Sequence, residues 1–395
     1  MNRLLIGVSS VAIAATGTAN AAEWNVRVGG FSTQMVGYAS VDAETLPDDD
    51  FDGVDTLSNT EIIFRPSITL DNGITFGVQV QLEGNTSGDQ IDESFASIDS
   101  SFGRVLIGSE NSAGSLMTFA APCVALTCHN SGTLTAYIPY SGSIGGGVIT
   151  GSDAFRGTLG STFLENVRNN DVGRITYFTP RIAGAQLGFS YARDFNEDDD
   201  SQANLADDFG DIIDIGANYV QTFGGVDIGV SARWGIIATT PAATSDNPTV
   251  YSFGATASFA GVTVGGSFAE QNNSLRAVAA GPSNPGGFAS SDGTAFDVGI
   301  SYETGPWGVS FSYLRGENVD DESINGAGIA GGDETADKFV AGINYSLAQG
   351  VDLGLVGAYV DFEEDNRPNN AFGPPVIPGD DVDGFLIGTG VALSF

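Results

Sequence analysis

Two consecutive segments, Phe296-Asp-Val-Gly-Ile-Ser-Tyr302 and Trp307-Gly-Val-Ser-Phe-Ser-Tyr313, decide the fold of this chain. In each of them a bulky apolar residue alternates with a glycine, a serine or an aspartate, which is the two-residue period of a β-strand. Gly305-Pro306 lies between them and is typical of a tight turn. The pair therefore predicts an antiparallel hairpin with one apolar face and one polar face.

The same pattern continues from Trp24 to the end of the chain, and short connections alternate strictly with long ones. Seven short turns lie at 71–73, 101–103, 179–184, 224–225, 260–261, 305–306 and 348–350. Eight long connections, most of them acidic, lie at 42–59, 84–91, 110–171, 194–210, 239–248, 272–293, 317–334 and 363–381. Together these connections predict sixteen antiparallel strands.

Strands of about ten residues with one apolar face have the length that a tilted strand needs to cross a bilayer. An even strand number, with short turns at one end and long loops at the other, is typical of a bacterial outer-membrane barrel. A soluble β-sandwich is the alternative, but its strands are usually shorter and its turns are short at both ends. We therefore predict an all-β, sixteen-stranded antiparallel transmembrane β-barrel, closed so that no sheet edge is left unpaired.

The first 21 residues have the pattern of a secretory signal peptide: a basic start at Arg3, an apolar run over 4–15 and an Ala-x-Ala site at 19–21. The apolar run is too short for a helix that crosses about 30 Å of hydrocarbon. We predict a signal peptide at 1–21 and a single barrel domain at 22–395.

The net charge of −35 disfavours nucleic acid as a partner. The 25 phenylalanines and 11 tyrosines argue against acidic disorder. Acidic clusters at 48–52 and 198–200 fall in predicted loops, where they could bind Ca²⁺ loosely, although solvated loops are the simpler interpretation. No other cofactor is indicated.

The connection at 110–171, called the insert below, is far longer than most loops, and loops of such length are commonly functional. It contains Cys123, Cys128 and His129, the sole histidine. In an exported chain the two cysteines favour one disulfide, with two free thiols as the alternative. A zinc site is disfavoured because no second thiol pair is present.

Five features carry a family resemblance: the predicted signal peptide, the opening strand at 24–31, Phe102-Gly-Arg-Val-Leu-Ile-Gly-Ser-Glu110, Gly173-Arg-Ile-Thr-Tyr-Phe-Thr-Pro180 and the terminal Phe395. They resemble the Gram-negative general porins, and are most similar to the trimeric sixteen-stranded porins of alphaproteobacteria. The resemblance implies an inward-folded third loop, a homotrimer and a role for Phe395 as the signal for membrane insertion. The Pro-Glu-Phe-Gly-Gly motif of the enterobacterial branch is absent from the chain.

Six basic residues occupy positions that alternate with the apolar residues of the predicted strands, so they lie on the polar, lumen-facing side. A cation on the lipid-facing side would cost about 2–4 kcal/mol near the bilayer midplane. Those in the strands before the insert are predicted to form the basic side of a pore constriction: Arg27, Arg65 and Arg104. The others are predicted to face the lumen: Arg174, Arg233 and Lys338. The alternative is that they only pair with acidic residues of the wall.

The insert supplies the predicted acidic side of the constriction through Asp153 and Glu165. Glu110 and Asp171 lie at its two ends, where they face the lumen or bond to the wall. Opposed cations and anions across a narrow water path create a transverse field that filters solutes by size and charge.

These observations favour a passive diffusion channel for small hydrophilic solutes and ions in the outer membrane of a Gram-negative bacterium, surrounded by outer-membrane lipid. The overall acidity predicts weak cation selectivity. A substrate-selective channel is the alternative within transport. An outer-membrane hydrolase is disfavoured, because His129 adjoins a cysteine of the predicted disulfide and leaves no nucleophile beside a base.

Overall fold

A computed structural model describes residues 9–11, 23–43, 51–84, 90–138, 171–194, 209–239, 247–277, 288–319, 334–364, 367–368, 376–377 and 381–395. Regular structure in these residues is almost entirely β, with two short helices, α1 (Ala113–Leu116) and α2 (Gly132–Tyr137). Within the described residues, neither helix has the length and apolar character that crossing a membrane requires.

Sixteen strands build the main sheet. They are β1 (Asn25–Ala43), β2 (Phe51–Thr69), β3 (Thr75–Glu83), β4 (Ile91–Ser100), β5 (Gly103–Ser109), β6 (Gly173–Phe178), β7 (Ala185–Ala192), β8 (Phe209–Phe223), β9 (Val226–Thr239), β10 (Thr249–Phe259), β11 (Val262–Ala277), β12 (Phe288–Thr304), β13 (Trp307–Val319), β14 (Glu334–Ala348), β15 (Val351–Glu364) and β16 (Val382–Ser394). A three-residue strand, Ser9–Val11, pairs with β1 and lies in the predicted signal peptide. Arg367–Pro368 and Val376–Ile377 pair with each other.

Closure of the barrel depends on the pairing of the last strand with the first. β16 runs antiparallel to β1 from Val382 opposite Ala43 to Ser394 opposite Phe31. Beyond that ladder, Gly30 and Phe395 exchange backbone hydrogen bonds of 3.0 and 3.1 Å. Each other strand pairs antiparallel with its sequence neighbours, so the predicted sixteen-stranded barrel is confirmed. The end that carries the short turns is the periplasmic end of such a barrel.

The apolar residues that alternate along each strand point outward and form the outer surface of the barrel. Val298, Ile300, Val309 and Phe311 are 42–51% exposed, whereas the small residues between them face inward. An aromatic row crosses the sheet farther from the periplasmic end, where Tyr313, Phe339, Tyr359 and Phe385 stand opposite one another in successive ladders. Such a row is typical of the aromatic girdle at a membrane interface.

Several strands extend farther than their sequence pattern predicts. The connection predicted at 42–59 is shorter, because β1 continues to Ala43 and β2 already begins at Phe51. The connection predicted at 272–293 is also shorter, because β11 and β12 pair as far as Ala277 and Phe288. Outside the bilayer both faces of a strand meet water, so the apolar alternation stops while the backbone ladder continues.

Candidate functional site

The described first part of the insert between β5 and β6, residues 110–138, enters the barrel and follows its inner wall. Helix α1 packs against β6, β7, β8 and β9. The next residues cross the wall strand by strand, so that Phe119 contacts Gly229 and Gly254, and Leu126 contacts Gly354 of β15. Helix α2 then brings Tyr137 against Gly37 of β1. The predicted inward-folded third loop is therefore confirmed.

Wall glycines let the insert lie in direct contact with the sheet. A Cβ added at Gly254 would meet the Phe119 carbonyl oxygen at 1.8 Å. A Cβ added at Gly342 would meet the Ala125 Cβ at 2.3 Å. Any larger residue at these two positions must push the insert toward the centre of the lumen.

Side chains of the wall satisfy the backbone of the insert. An irregular segment in a protein interior needs a partner for every N–H group, because an unpaired one is costly. Five insert N–H groups donate to wall oxygens: Ala113 to Ser190 (2.7 Å), Gly114 to Asp214 (2.8 Å), Phe119 to Ser231 (2.9 Å), Ala121 to Asp297 (2.8 Å) and Val124 to Ser310 (3.0 Å). These bonds fix the insert to the wall from Ala113 in α1 to Val124, which bonds to Ser310 of β13.

Asp297 of β12 joins the insert to two wall strands. It is 1% exposed, and it accepts hydrogen bonds from the N–H of Ala121, the N–H of Ser267 and the hydroxyl of Ser267. His129 faces the same carboxylate, with Nε2 3.5 Å from Oδ2, and its Nδ1 lies 2.9 Å from the Ser312 hydroxyl.

The predicted disulfide between Cys123 and Cys128 is present, with a sulfur–sulfur distance of 2.10 Å. Ala121 on one side of this ring and His129 on the other both face Asp297, so the ring is held to the wall at both ends. Oxidation of Cys128 and the burial of His129, which is 1% exposed, give this segment a structural role.

Three predicted lumen residues lie on the inner face but are buried, with exposed fractions of 4% for Arg174, 4% for Arg233 and 2% for Lys338. Arg233 donates from Nε to Asp214 over 2.7 Å and from Nη2 to the Ser112 hydroxyl of the insert over 2.8 Å. The Arg174 Nε donates to the Val172 carbonyl over 3.2 Å. Through its bond to Ser112, Arg233 fastens the insert to the wall. Its charge is paired with Asp214 and buried, so it is not presented to a solute in the lumen.

Glu110 and Asp171, at the two ends of the insert, meet beside Glu93 of β4. All three are buried, and one carboxylate oxygen of each lies within 4.8 Å of the others. Burial, followed by the neighbouring Glu93 carboxylate, raises the pKa of Glu110 to about 8. The Asn111 amide group donates to Glu93 over 3.1 Å, so this junction is also tied by hydrogen bonds.

Two groups of carboxylates among the described residues have a spacing that could hold a cation. One is the junction of Glu93, Glu110 and Asp171, and the other is Glu61, Glu83 and Asp92. Of the two acidic clusters for which the sequence leaves loose Ca²⁺ binding open, 198–200 lies outside the described residues, and only residues 51 and 52 of the cluster at 48–52 are described.

The predicted basic cluster is brought together near the periplasmic ends of β1, β2 and β5. Arg27, Arg65 and Arg104 line one cavity of about 470 Å³. Arg27 stands opposite Arg65 in the β1–β2 ladder. The Arg65 Nε donates to Gln79 over 2.7 Å, whereas Arg104 lies 3.4 Å from Asp99 with both side chains about half exposed. Asp153 and Glu165, the predicted acidic partners, lie outside the described residues.

Sequence reasoning missed the residues that hold the insert, above all Asp214 and Asp297. The one feature of the sequence that could have identified them is an acidic residue at an inward-facing position of a strand whose other inward-facing residues are small. Gly216 follows Asp214 on that parity, and Gly299 follows Asp297. A small neighbour beside a hydrogen-bond acceptor marks a place where another backbone can approach.

A closed membrane barrel with a polar inner face and an internal loop defines a channel protein. The family model of Gram-negative porins matches residues 8–365, and the chain belongs to that family. It is therefore a channel of the outer membrane and not an enzyme.

Solved structures of porins share the fold. The anion-selective porin from Comamonas acidovorans is 18% identical with a TM-score of 0.57, over 94% of this chain and 100% of that one. OmpT of Vibrio cholerae in its trimer form is 13% identical with a TM-score of 0.54, over 94% and 99%. OmpF of Salmonella typhi in complex with daunomycin is 15% identical with a TM-score of 0.53, over 93% and 98%. No curated protein sequence matches the chain.

Substitution of a wall glycine is expected to loosen the insert. In Gly254→Ala the new Cβ displaces Phe119 and breaks its hydrogen bond to Ser231. Loss of this part-buried hydrogen bond, at about 1–3 kcal/mol, corresponds to a roughly five- to 150-fold larger opening equilibrium constant. Hydrogen–deuterium exchange of residues 117–131 measures this opening.

The matched control is Gly357→Ala on β15, where an added Cβ meets nothing within 4 Å. This variant should exchange like the wild type. Equal exchange in Gly254→Ala and the wild type would contradict the wall contact.

Ionisation of Glu110 is expected to destabilise the fold as the pH rises. Its pKa is about 8 in the folded protein against an ordinary value of 4.5, so the folded state binds the proton more tightly. The free energy of unfolding therefore falls between pH 4.5 and pH 8. Glu110→Gln removes this contribution, and denaturant unfolding at the two ends of that range should show a smaller loss than in the wild type.

The control for this measurement is Glu303→Gln, at an exposed carboxylate near the periplasmic end of β12. It should keep the wild-type dependence on pH. Parallel pH profiles for Glu110→Gln and the wild type would rule out a contribution from Glu110.

Proposed function

We propose that this porin is a passive diffusion channel for small hydrophilic solutes and ions, with a weak preference for cations. The observation that carries the proposal is the insert hydrogen-bonded to the inner wall. A fixed segment inside a water-filled barrel gives the passage a constant aperture, and a constant aperture sorts solutes by size.

The balance of charge supports the cation preference. The chain has a net charge of −35, and the inner wall presents Glu61, Glu83 and Asp92 as a group. Carboxylates at a channel mouth raise the local cation concentration. Screening over about 8 Å at physiological ionic strength keeps the preference weak.

The constriction in this proposal has a basic and an acidic side. Arg27, Arg65 and Arg104 form the basic side, and their convergence on one cavity supports that role. Asp153 and Glu165 of the insert form the acidic side. A solute that crosses between them experiences a transverse field, which favours polar molecules over apolar ones of equal size.

An anion-preferring channel is the second candidate. The three arginines around the cavity favour it, because they outnumber the two acidic side chains among the described residues of the lining, Glu23 and Asp99. The similar porin from Comamonas acidovorans is anion-selective, at 18% identity.

The proposed assembly is a homotrimer in outer-membrane lipid. The apolar outer face of β12–β14 suits lipid contact, with Val298 and Phe311 about half exposed. The structure of OmpT of Vibrio cholerae that this chain resembles is a trimer form. Closed cyclic assemblies are common among oligomers.

Planar-bilayer recordings in a KCl gradient test the function. The wild type should show step conductance and a reversal potential on the cation-selective side. Arg65→Gln should move the reversal potential farther toward the potassium equilibrium potential, because it removes a cation from the passage. Arg193→Gln is the matched control, since Arg193 is paired with Asp211 at the other end of the barrel.

An absence of conductance steps would refute the channel. A wild-type reversal potential on the anion side would refute the cation preference and support the second candidate. An unchanged potential in Arg65→Gln would remove this residue from the constriction.

A further inference from the structure

A chain of hydrogen bonds runs from a periplasmic turn of the barrel to the insert. The turn at 179–184 joins β6 to β7 and carries Arg181 as an exposed side chain. The Arg181 Nη2 donates to the Asn218 side-chain oxygen of β8 over 2.7 Å. The Asn218 amide nitrogen donates in turn to the Met117 carbonyl over 3.3 Å. Met117 caps the end of α1, so the two bonds connect the rim of the wall with the insert.

Asn218 lies in a row of polar side chains that faces the lumen. In the ladders of β7, β8 and β9 it stands opposite Gln186 on one side and Ser231 on the other. The Ser231 hydroxyl accepts the Phe119 N–H of the insert, so the row lies on the inner face of the wall. Asn218 is therefore placed where the insert passes over the wall.

The chemistry of arginine decides which end of the Asn218 amide meets the insert. A guanidinium carries only donors, so an amide that bonds to it must turn its oxygen toward it. The amide nitrogen of Asn218 then points away from Arg181, and the Met117 carbonyl is its acceptor. A flipped amide would set donor against donor at Arg181 and acceptor against acceptor at Met117. Arg181 thereby selects the one orientation of Asn218 that binds the insert.

The turn holds Arg181 in front of Asn218. The Arg181 Nη1 donates to the Gly184 carbonyl over 2.7 Å, and its Nη2 also donates to the Gln186 side-chain oxygen over 2.8 Å. The Gln186 amide nitrogen donates to the Thr179 carbonyl over 2.9 Å. A planar guanidinium presents its donors at fixed angles, so these acceptors also fix its direction.

The bond from Asn218 reaches a part of the insert that is packed into the wall. Met117 is 3% exposed. A Cβ added at Gly188 would meet the Met117 sulfur atom at 2.6 Å, and one added at Gly216 would meet it at 3.0 Å. With its side chain enclosed and its carbonyl bonded, Met117 sets the point from which the insert leaves α1 and crosses the wall.

We propose that Arg181 is a positioning residue for the insert and acts through Asn218 to fix the end of α1. The periplasmic turn and the aperture of the channel are thereby coupled, although the turn lies at the rim of the barrel. The coupling to the aperture rests on the proposed function as a diffusion channel, whereas the positioning of α1 does not.

Hydrogen–deuterium exchange of the full-length protein in detergent micelles tests the positioning role. The reporters are the amides of Leu116 and Thr118, whose bonds to the Ser112 and Ser115 carbonyls break when α1 opens. Arg181→Gln should raise their exchange rates roughly two- to tenfold, the usual effect of one hydrogen bond. Arg181→Lys should restore the wild-type rates, because an ammonium group also carries only donors.

Two further variants separate the position of the insert from the stability of the turn. Asn218→Asp keeps an acceptor for Arg181 but has no donor for the Met117 carbonyl. The α1 amides should therefore exchange faster, while the Leu187 amide, which is bonded to the turn, exchanges as in the wild type. Gln186→Glu is the matched control, because it makes the same change of charge and leaves Arg181 bonded to Asn218. Its α1 amides should exchange at the wild-type rate.

A double variant tests whether the two residues act in one chain of bonds. Arg181→Gln added to Asn218→Asp should give no faster exchange of α1 than Asn218→Asp alone, because residues of one network are not additive. Unchanged exchange of α1 in both single variants would overturn the proposal. Equally fast exchange in Gln186→Glu, or additive effects in the double variant, would also overturn it.

Planar-bilayer recordings of the same variants test the coupling to the aperture. Open-channel current noise should rise in Arg181→Gln and Asn218→Asp and keep its wild-type level in Gln186→Glu. Faster exchange of α1 with unchanged noise would support the positioning role and overturn the coupling. An absence of conductance steps in the wild type would overturn the proposed function, while the exchange rates would still decide the positioning role.

Discussion

The channel depends on hydrogen bonds between the backbone of the insert and the side chains of the wall. An irregular segment can lie inside a barrel only if its N–H groups find acceptors there. Ser231 and Asp297 provide them, and wall glycines such as Gly254 bring the two backbones into contact. Without these acceptors the insert would gain more by remaining in water, and the lumen would stay wide.

The barrel in turn makes those acceptors available. Closure of β16 on β1 satisfies every strand within the sheet and leaves the inward parity free for small and polar residues. The outward-facing positions of the strands meet lipid and are apolar over most of the described wall.

The sequence predicts the strands well because their causes are local. Alternation in 296–302 and turn chemistry at Gly305 act within a few residues, and the strand count follows from them. The path of the insert is not local. Asp297 and Arg233 look like ordinary pore-facing residues, and only the fold shows that both are covered by the insert. The ends of β2 and β11 were missed because backbone pairing outlasts the apolar pattern beyond the bilayer.

Disulfide trapping of the insert against the wall tests the central claim most directly. A Cβ added at Gly299 would lie 3.0 Å from the Ala121 Cβ. Disulfides have Cβ–Cβ separations of roughly 3.5–4.5 Å, so a shift of the insert by about half an ångström lets the two sulfur atoms bond. The pair Ala121→Cys with Gly299→Cys should therefore form a second disulfide in the membrane-embedded protein, identified by peptide mapping. Ala121→Cys with Gly357→Cys, whose second position faces outward, should keep two free thiols. Free thiols in both pairs would contradict an insert that lies on the wall.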